Sequence, residues 1–164
     1  MFSQAHPAPD AAPCAALMLS TRPIKCVPLP LCKIARSTIL SSKVSACTSV
    51  WRDGYAELTM PIDATKLNRQ HVLQGGAITT LLDAAAGYAG IFSMPGEVEQ
   101  HAFTLSLTTN LLDKGQGHHV KAIGMLELER NGRSIFFVRG EAWVDDTLLV
   151  ATAQGTFKHV GAQR

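Results

Sequence analysis

Charge is scarce in this sequence. Asp, Glu, Lys and Arg make up 17% of its 164 residues against 46% apolar ones, and the net charge is only +2. So small an excess gives no reason to expect nucleic acid as a partner. The four cysteines, Cys14, Cys26, Cys32 and Cys47, form no CxxC pair, and the histidines complete no zinc pattern. They read as free thiols of a reducing compartment, which points to the cytoplasm. No apolar run approaches the roughly 20 residues of a membrane span except the segment around Asp83. There Gln74, paired glycines, threonines and the acid itself argue against lipid, so no membrane is expected. No metal-ligand cluster stands in the sequence, and the expectation is a chain without metal or cofactor.

Acids are missing from the start of the chain, and proline from most of the rest. Residues 1–45 carry Arg22, Lys25, Lys33, Arg36 and Lys43 against Asp10 alone, and six of the eight prolines fall in residues 1–30. Segments such as "PAPDAAP" and "VPLPL" sustain neither helix nor ladder, so 1–45 reads as a poorly ordered leader with a short helix expected within 31–45. Its composition has a trace of a transit peptide, but an unstructured extension is the favoured reading. The length leaves room for one domain with a real core, here 46–164.

Within that domain "YAELTMPI" alternates, with Ala56, Leu58 and Met60 on one face, as a half-buried strand does. A loop follows, then a helix expected from about Gly75 to Phe92, ended by "SMPGE". Extended segments complete the chain: "HAFTLSLTTNLL", "HHVKAIGMLELE", "RSIFFVRGEAWV" and "LLVATAQGTFKHV". Asn131-Gly132 suits a type I′ hairpin turn, and Asp145-Asp146 marks the next one. The helix lacks a wide charged face, which predicts burial nearly all round. One long helix and about five strands give an α+β, hot-dog arrangement: an antiparallel sheet wrapped around the central helix.

One charge interrupts that helix. From Gln70 to Gly96, Asp83 is the only ionised side chain. Burying an unpaired carboxylate costs several kcal/mol, so the position asks for a purpose. Thr79, Asp83, Gly87 and Gly90 share one helical face, where the glycines leave space beside the acid. The plain structural reading is that the glycines allow close packing and that Asp83 bonds a neighbouring backbone. Gly75-Gly76 at the helix start adds a second element. A helix N-terminus presents unpaired N–H groups suited to a developing oxyanion, and glycine lets a carbonyl approach closely.

These residues resemble the hot-dog-fold acyl-CoA thioesterases, in particular the PaaI-like, phenylacetate-pathway group. In that family an Asn stands seven residues before a Gly of an H-G-G motif, and an acid follows that Gly by eight. Asn68, Gly75 and Asp83 keep this spacing. "FTLSLTTNLL" is similar to the family's second strand and "GRSIFFVRGEAW" to a closing one, so the likeness spans 47–160. The resemblance implies thioester hydrolysis to free acid and CoA, with CoA as part of the substrate. Gly75 N–H would hold the oxyanion, Asp83 would be general base or nucleophile, and Asn68 would orient water or substrate. Thr104 would place the water, with Ser106 the less favoured hydroxyl. The family His is replaced by Gln74, which can support a loop by hydrogen bonds but moves no proton; His71 is the nearest candidate to compensate. A hydratase would need His–acid motifs that are absent, and a non-catalytic acyl-CoA-binding domain is the main alternative.

Gly76 and Gly87 would border the substrate, and Arg130, Arg133 and Lys158 are candidates for the CoA phosphates, although surface cations usually face water. Eight residues of helix separate Gly75 from Asp83 by about 12 Å. One thioester group cannot touch both, because its carbon must lie within about 3–3.5 Å of the attacker. The expectation is a homodimer whose sites are shared between chains, assembled as a dimer of dimers as the resemblance implies.

Overall fold

A computed structural model describes residues 46–94, 96–127 and 134–161. The leader 1–45, the Asn131-Gly132 turn, Arg130 and Arg133 lie outside the described residues. The alternation seen in the sequence is realised in β2 (Tyr55–Pro61), where Ala56, Leu58 and Met60 are fully buried. Before it, β1 (Cys47–Arg52) pairs antiparallel to β2 through the Asp53-Gly54 turn. Gly54 takes a φ of +71° there, a conformation that side-chain-bearing residues rarely adopt.

The helix α1 (Gly75–Gly90) is followed by β3 (His101–Leu111), β4 (His119–Leu126), β5 (Ile135–Val144) and β6 (Leu148–Val160). The strands form a single antiparallel sheet in the order β1-β2-β4-β5-β6-β3. The sheet thus has six strands where the sequence predicted about five; the addition is the β1 edge. Asp145 and Asp146 close the β5–β6 hairpin with φ of 47° and 60°, the left-handed pair that a type I′ turn needs. The Asp145 carboxylate also accepts the backbone N–H of His118 (3.0 Å) and of His119 (3.1 Å).

The sheet curls over α1, and their facing surfaces make the core. Leu81, Leu82 and Ala85 of the helix are fully buried with Leu58, Val120 and Val150 of the sheet. Each such leucine contributes about 1.5–3 kcal/mol by leaving water. Backbone meets backbone closely at Gly124 of β4, where a Cβ would stand 2.3 Å from the Ala85 carbonyl oxygen. No helix among the described residues is long and apolar enough to cross a membrane.

Two expectations about α1 need correction. It ends at Gly90, and Phe92 instead packs edge-on against Trp51 at 5.5 Å. It is not buried all round: Thr79, Thr80, Asp83, Ala84 and Gly87 are only partly covered, and Gly76 is exposed. Small and hydroxylated residues conceal an open face because they carry no charge to announce it.

Candidate active site

The N-terminus of α1 is set by the loop before it. Asn68 Oδ1 accepts from the N–H of Gln70 (2.8 Å) and, more weakly, of Val72 (3.3 Å). The backbone turns with His71 at φ +57°, and Leu67 and Leu73 bridge antiparallel across the loop. Gln74 N–H donates to the Lys66 carbonyl at 2.9 Å. Gln74 is the N-cap residue, exposed and without a side-chain capping bond. The first helical N–H groups, those of Gly75 and Gly76, precede the i→i−4 ladder and have no acceptor among the described residues. A Cβ on Gly76 would meet nothing within 4 Å, so the backbone there is open to approach.

Two turns along, Asp83 stands half-exposed on the open face of α1. Its Oδ1 accepts the Thr104 hydroxyl at 2.7 Å, and Oδ2 has no partner among the described residues. The carboxylate is therefore neither buried nor solitary, contrary to the reading of an acid sunk in an apolar run. Thr104 reaches it because of a bulge in β3. Thr104 pairs with Phe157 and Ser106 with Thr156, the register shifting between them. Phe157 faces the helix, so Thr104 does too, and Ser106 falls on the other side of the sheet. Gly87 lies one turn beyond Asp83, where a Cβ would sit 3.7 Å from the Phe157 ring.

Neither the protein-family models nor the curated proteins include a match to this chain. Solved structures do match. A thioesterase from Haemophilus influenzae superposes with a TM-score of 0.70 at 19% identity, over 82% of this chain and 90% of its own. The Escherichia coli PaaI protein of the phenylacetic acid degradation operon gives 0.66 at 19%, over 79% and 89%. This is the hot-dog fold. Its structural neighbours include thioesterase-family proteins. Another neighbour, a Bacillus halodurans protein solved with CoA, gives a TM-score of 0.57 at 27% identity, over 63% of this chain and 66% of its own.

Within one hot-dog chain the expected site residues fall into separate groups. Asn68, Gln74, Gly75 and Gly76 gather at the start of α1; Asp83, Thr104 and Gly87 gather midway along it. His71 lines a cleft of about 330 Å³ with Asp63, Leu67 and Gln116. None of Gln74, Gly75 and Asp83 borders that cleft. Lys158 is exposed and follows the inward-facing Phe157, which sets it on the convex side of the sheet. Among the described residues no cluster of His, Cys, Asp and Glu is arranged to hold a metal ion.

The hot-dog core also carries features that sequence reasoning passed over. Trp51 Nε1 donates to the Tyr88 carbonyl at 2.8 Å, pinning the last turn of α1 to β1. His159 lies against Phe136 at 4.7 Å between ring centroids, and burial lowers its pKa. Lys66 is buried. Of these, only Trp51 carried a signal in the sequence, as a large aromatic just before an alternating strand.

Proposed function

We propose that this chain is an acyl-CoA thioesterase, hydrolysing a thioester to the free acid and CoA. The Asp83–Thr104 hydrogen bond on the open face of α1 carries this reading. Thr104 uses its proton on Oδ1, so its oxygen remains free to accept from a water, while Oδ2 remains free to take that water's proton. The water oxygen adds to the thioester carbonyl, and the oxyanion is held by Gly75 N–H at the positive end of α1. Collapse of the adduct breaks the C–S bond, and the proton held by Asp83 goes to the departing CoA sulfur. Direct attack by Asp83, through a mixed anhydride that water then cleaves, uses the same groups. Asn68, with its oxygen engaged by the loop, supports the donor through its shape and offers its NH₂ to substrate. The CoA-bound Bacillus halodurans neighbour supports a CoA thioester as the ligand.

The site is proposed to be shared by two copies. Gly75 and Asp83 are about 12 Å apart on one helix, beyond the reach of one reacting group. Beside that face runs the edge strand β3, where Leu105 is 49% exposed and Leu111, next to Gly75, is 55% exposed. A second copy seated there in antiparallel register sets one chain's Gly75 against its partner's acid. An alternative is an acyl-CoA-binding domain without turnover, which the amide at Gln74 favours.

Mixing dead variants tests the reading. Asn68→Ala and Asp83→Ala should each lower kcat on a panel of acyl-CoAs, Asp83→Ala by about 10²–10⁴. Subunit exchange should restore hydrolysis, because one site of each mixed dimer then receives neither mutation. Mixed dimers seen by mass spectrometry without recovered activity would mean that the site lies within one chain. Tight CoA binding with no turnover of any ester by the wild type would favour the binding domain.

A further inference from the structure

Lys66 is the one charged residue among those described that is buried. Its side chain is 4% exposed, whereas its partner Asp63 keeps 50%. A buried ammonium needs such a partner, and Lys66 Nζ donates to Asp63 Oδ2. The other oxygen of Asp63 accepts the Thr65 N–H (3.0 Å) and hydroxyl (2.5 Å). The Lys66 hydrogen bond, chiefly, holds the Asp63 carboxyl down at about 2. The carboxylate is therefore ionised throughout the neutral range.

The main chain of Lys66 has a second attachment. Its carbonyl accepts the N–H of Gln74 at 2.9 Å, and Gln74 immediately precedes Gly75. Its N–H donates to the Asp63 carbonyl at 3.0 Å, and Leu73 N–H donates to the Gly115 carbonyl at 3.0 Å. The side-chain pair and these backbone bonds fix the short 3-10 turn Ala64–Lys66, on which the start of α1 rests.

We infer that Lys66 is a positioning residue for the oxyanion donor: its buried, Asp63-paired ammonium fixes the carbonyl that holds Gln74, and so the direction of Gly75 N–H. This deepens the thioesterase reading and rests on it. The donor acts on charge that develops in the transition state, so a misplaced donor lowers kcat and leaves substrate binding largely intact. Small displacements suffice, since about 1 Å of error at a reacting centre can cost on the order of 10² in rate.

The test compares Lys66→Met, which keeps the buried stem and loses the charge, with Lys66→Arg and Asp63→Asn, using Asp83→Asn as a control. Lys66→Met should lower kcat about tenfold or more with KM within about twofold, and Lys66→Arg should recover most of the loss. Asp63→Asn should reproduce the defect, and the double variant should be no worse than either single one, because both act through one contact. Should Lys66→Met fail to fold, Asp63→Asn alters the exposed partner and carries the same kcat test. A lower Tm with unchanged kcat in the folded fraction would mean that Lys66 only supports the loop, and the inference falls. If Asp83→Asn is inactive while Asp63→Asn and Lys66→Met are not, this inference alone is wrong. If the wild type hydrolyses no thioester, both it and the thioesterase reading are overturned.

Discussion

Strands β3 and β5 flank the same strand, β6, yet they meet solvent very differently. Along β5, buried residues alternate with partly or fully exposed ones from Ile135 to Val144, and Phe136, Val138 and Ala142 close the core. Along β3 most residues are exposed on both faces, Phe103, Leu105 and Leu111 among them. A bare apolar edge invites pairing with another chain, and proteins that live as monomers blunt such edges with charge or proline. Here β3 has neither within its eleven residues save His101 at its start. The half of the molecule around β5 closes its own core; the half around β3, where Thr104 meets Asp83, leaves apolar side chains uncovered.

That contrast can be broken by charge. Leu105→Asp places an acid in the bulge of β3, and a two-fold assembly would carry that acid in both copies. Dimers should give way to monomers in sedimentation, and hydrolysis should fall by about 10² or more because each site loses its second half. A stable dimer with full activity would remove β3 from the proposed interface.

A smaller effect sharpens the comparison along α1. A Cβ on Gly90 would lie 2.0 Å from the Phe136 ring, whereas one on Gly76 meets nothing within 4 Å. Gly90→Ala should therefore destabilise by about 1–3 kcal/mol through overpacking. Gly76→Ala should stabilise by about 0.5–1 kcal/mol, the usual advantage of alanine in a helix. Equal losses in thermal unfolding would contradict the assignment of a packed and an open side.

The smallest effect concerns His159, beside Phe136 on the packed side. Burial lowers its pKa below the ordinary 6.5, so the unfolded chain binds the proton more readily. Its contribution to stability is full above about pH 6.5 and is lost as pH falls toward the folded value. His159→Phe keeps the ring contact and should flatten the fall in Tm between about pH 7.5 and about pH 5.5. An unchanged slope would show that the ring is freely protonated in the fold.

Much of the fold was legible because its signals are periodic. The alternation of Ala56, Leu58 and Met60 survives in β2, and the long uncharged stretch at Gly75–Gly90 is a helix. The edge strand β1 was not, since "CTSVWR" alternates too little to separate strand from loop. The bulge in β3 was invisible for a related reason: strict alternation sets Thr104 and Ser106 on one face, and only the added residue sends them to opposite faces. Asp83 was legible as a lone charge, although its surroundings of small residues disguised how open it is. Lys66 gave no sign of itself, because lysines are normally solvated and the sequence does not reveal which stem lies under a loop.

The strand order also has a consequence in time. β5 and β6 join across the three residues Asp145 to Thr147, while β3 reaches β6 by pairings such as His101 with Val160, some sixty residues away. Closing the longer loop costs more chain entropy before any contact repays it. Thr104 should thus reach Asp83 late in refolding, after the hairpins have formed. Stopped-flow circular dichroism followed by a timed thioester assay should show sheet signal first and turnover second, and simultaneous recovery would contradict this order. A chain newly released from the ribosome would then hold most of its sheet before Thr104 met Asp83.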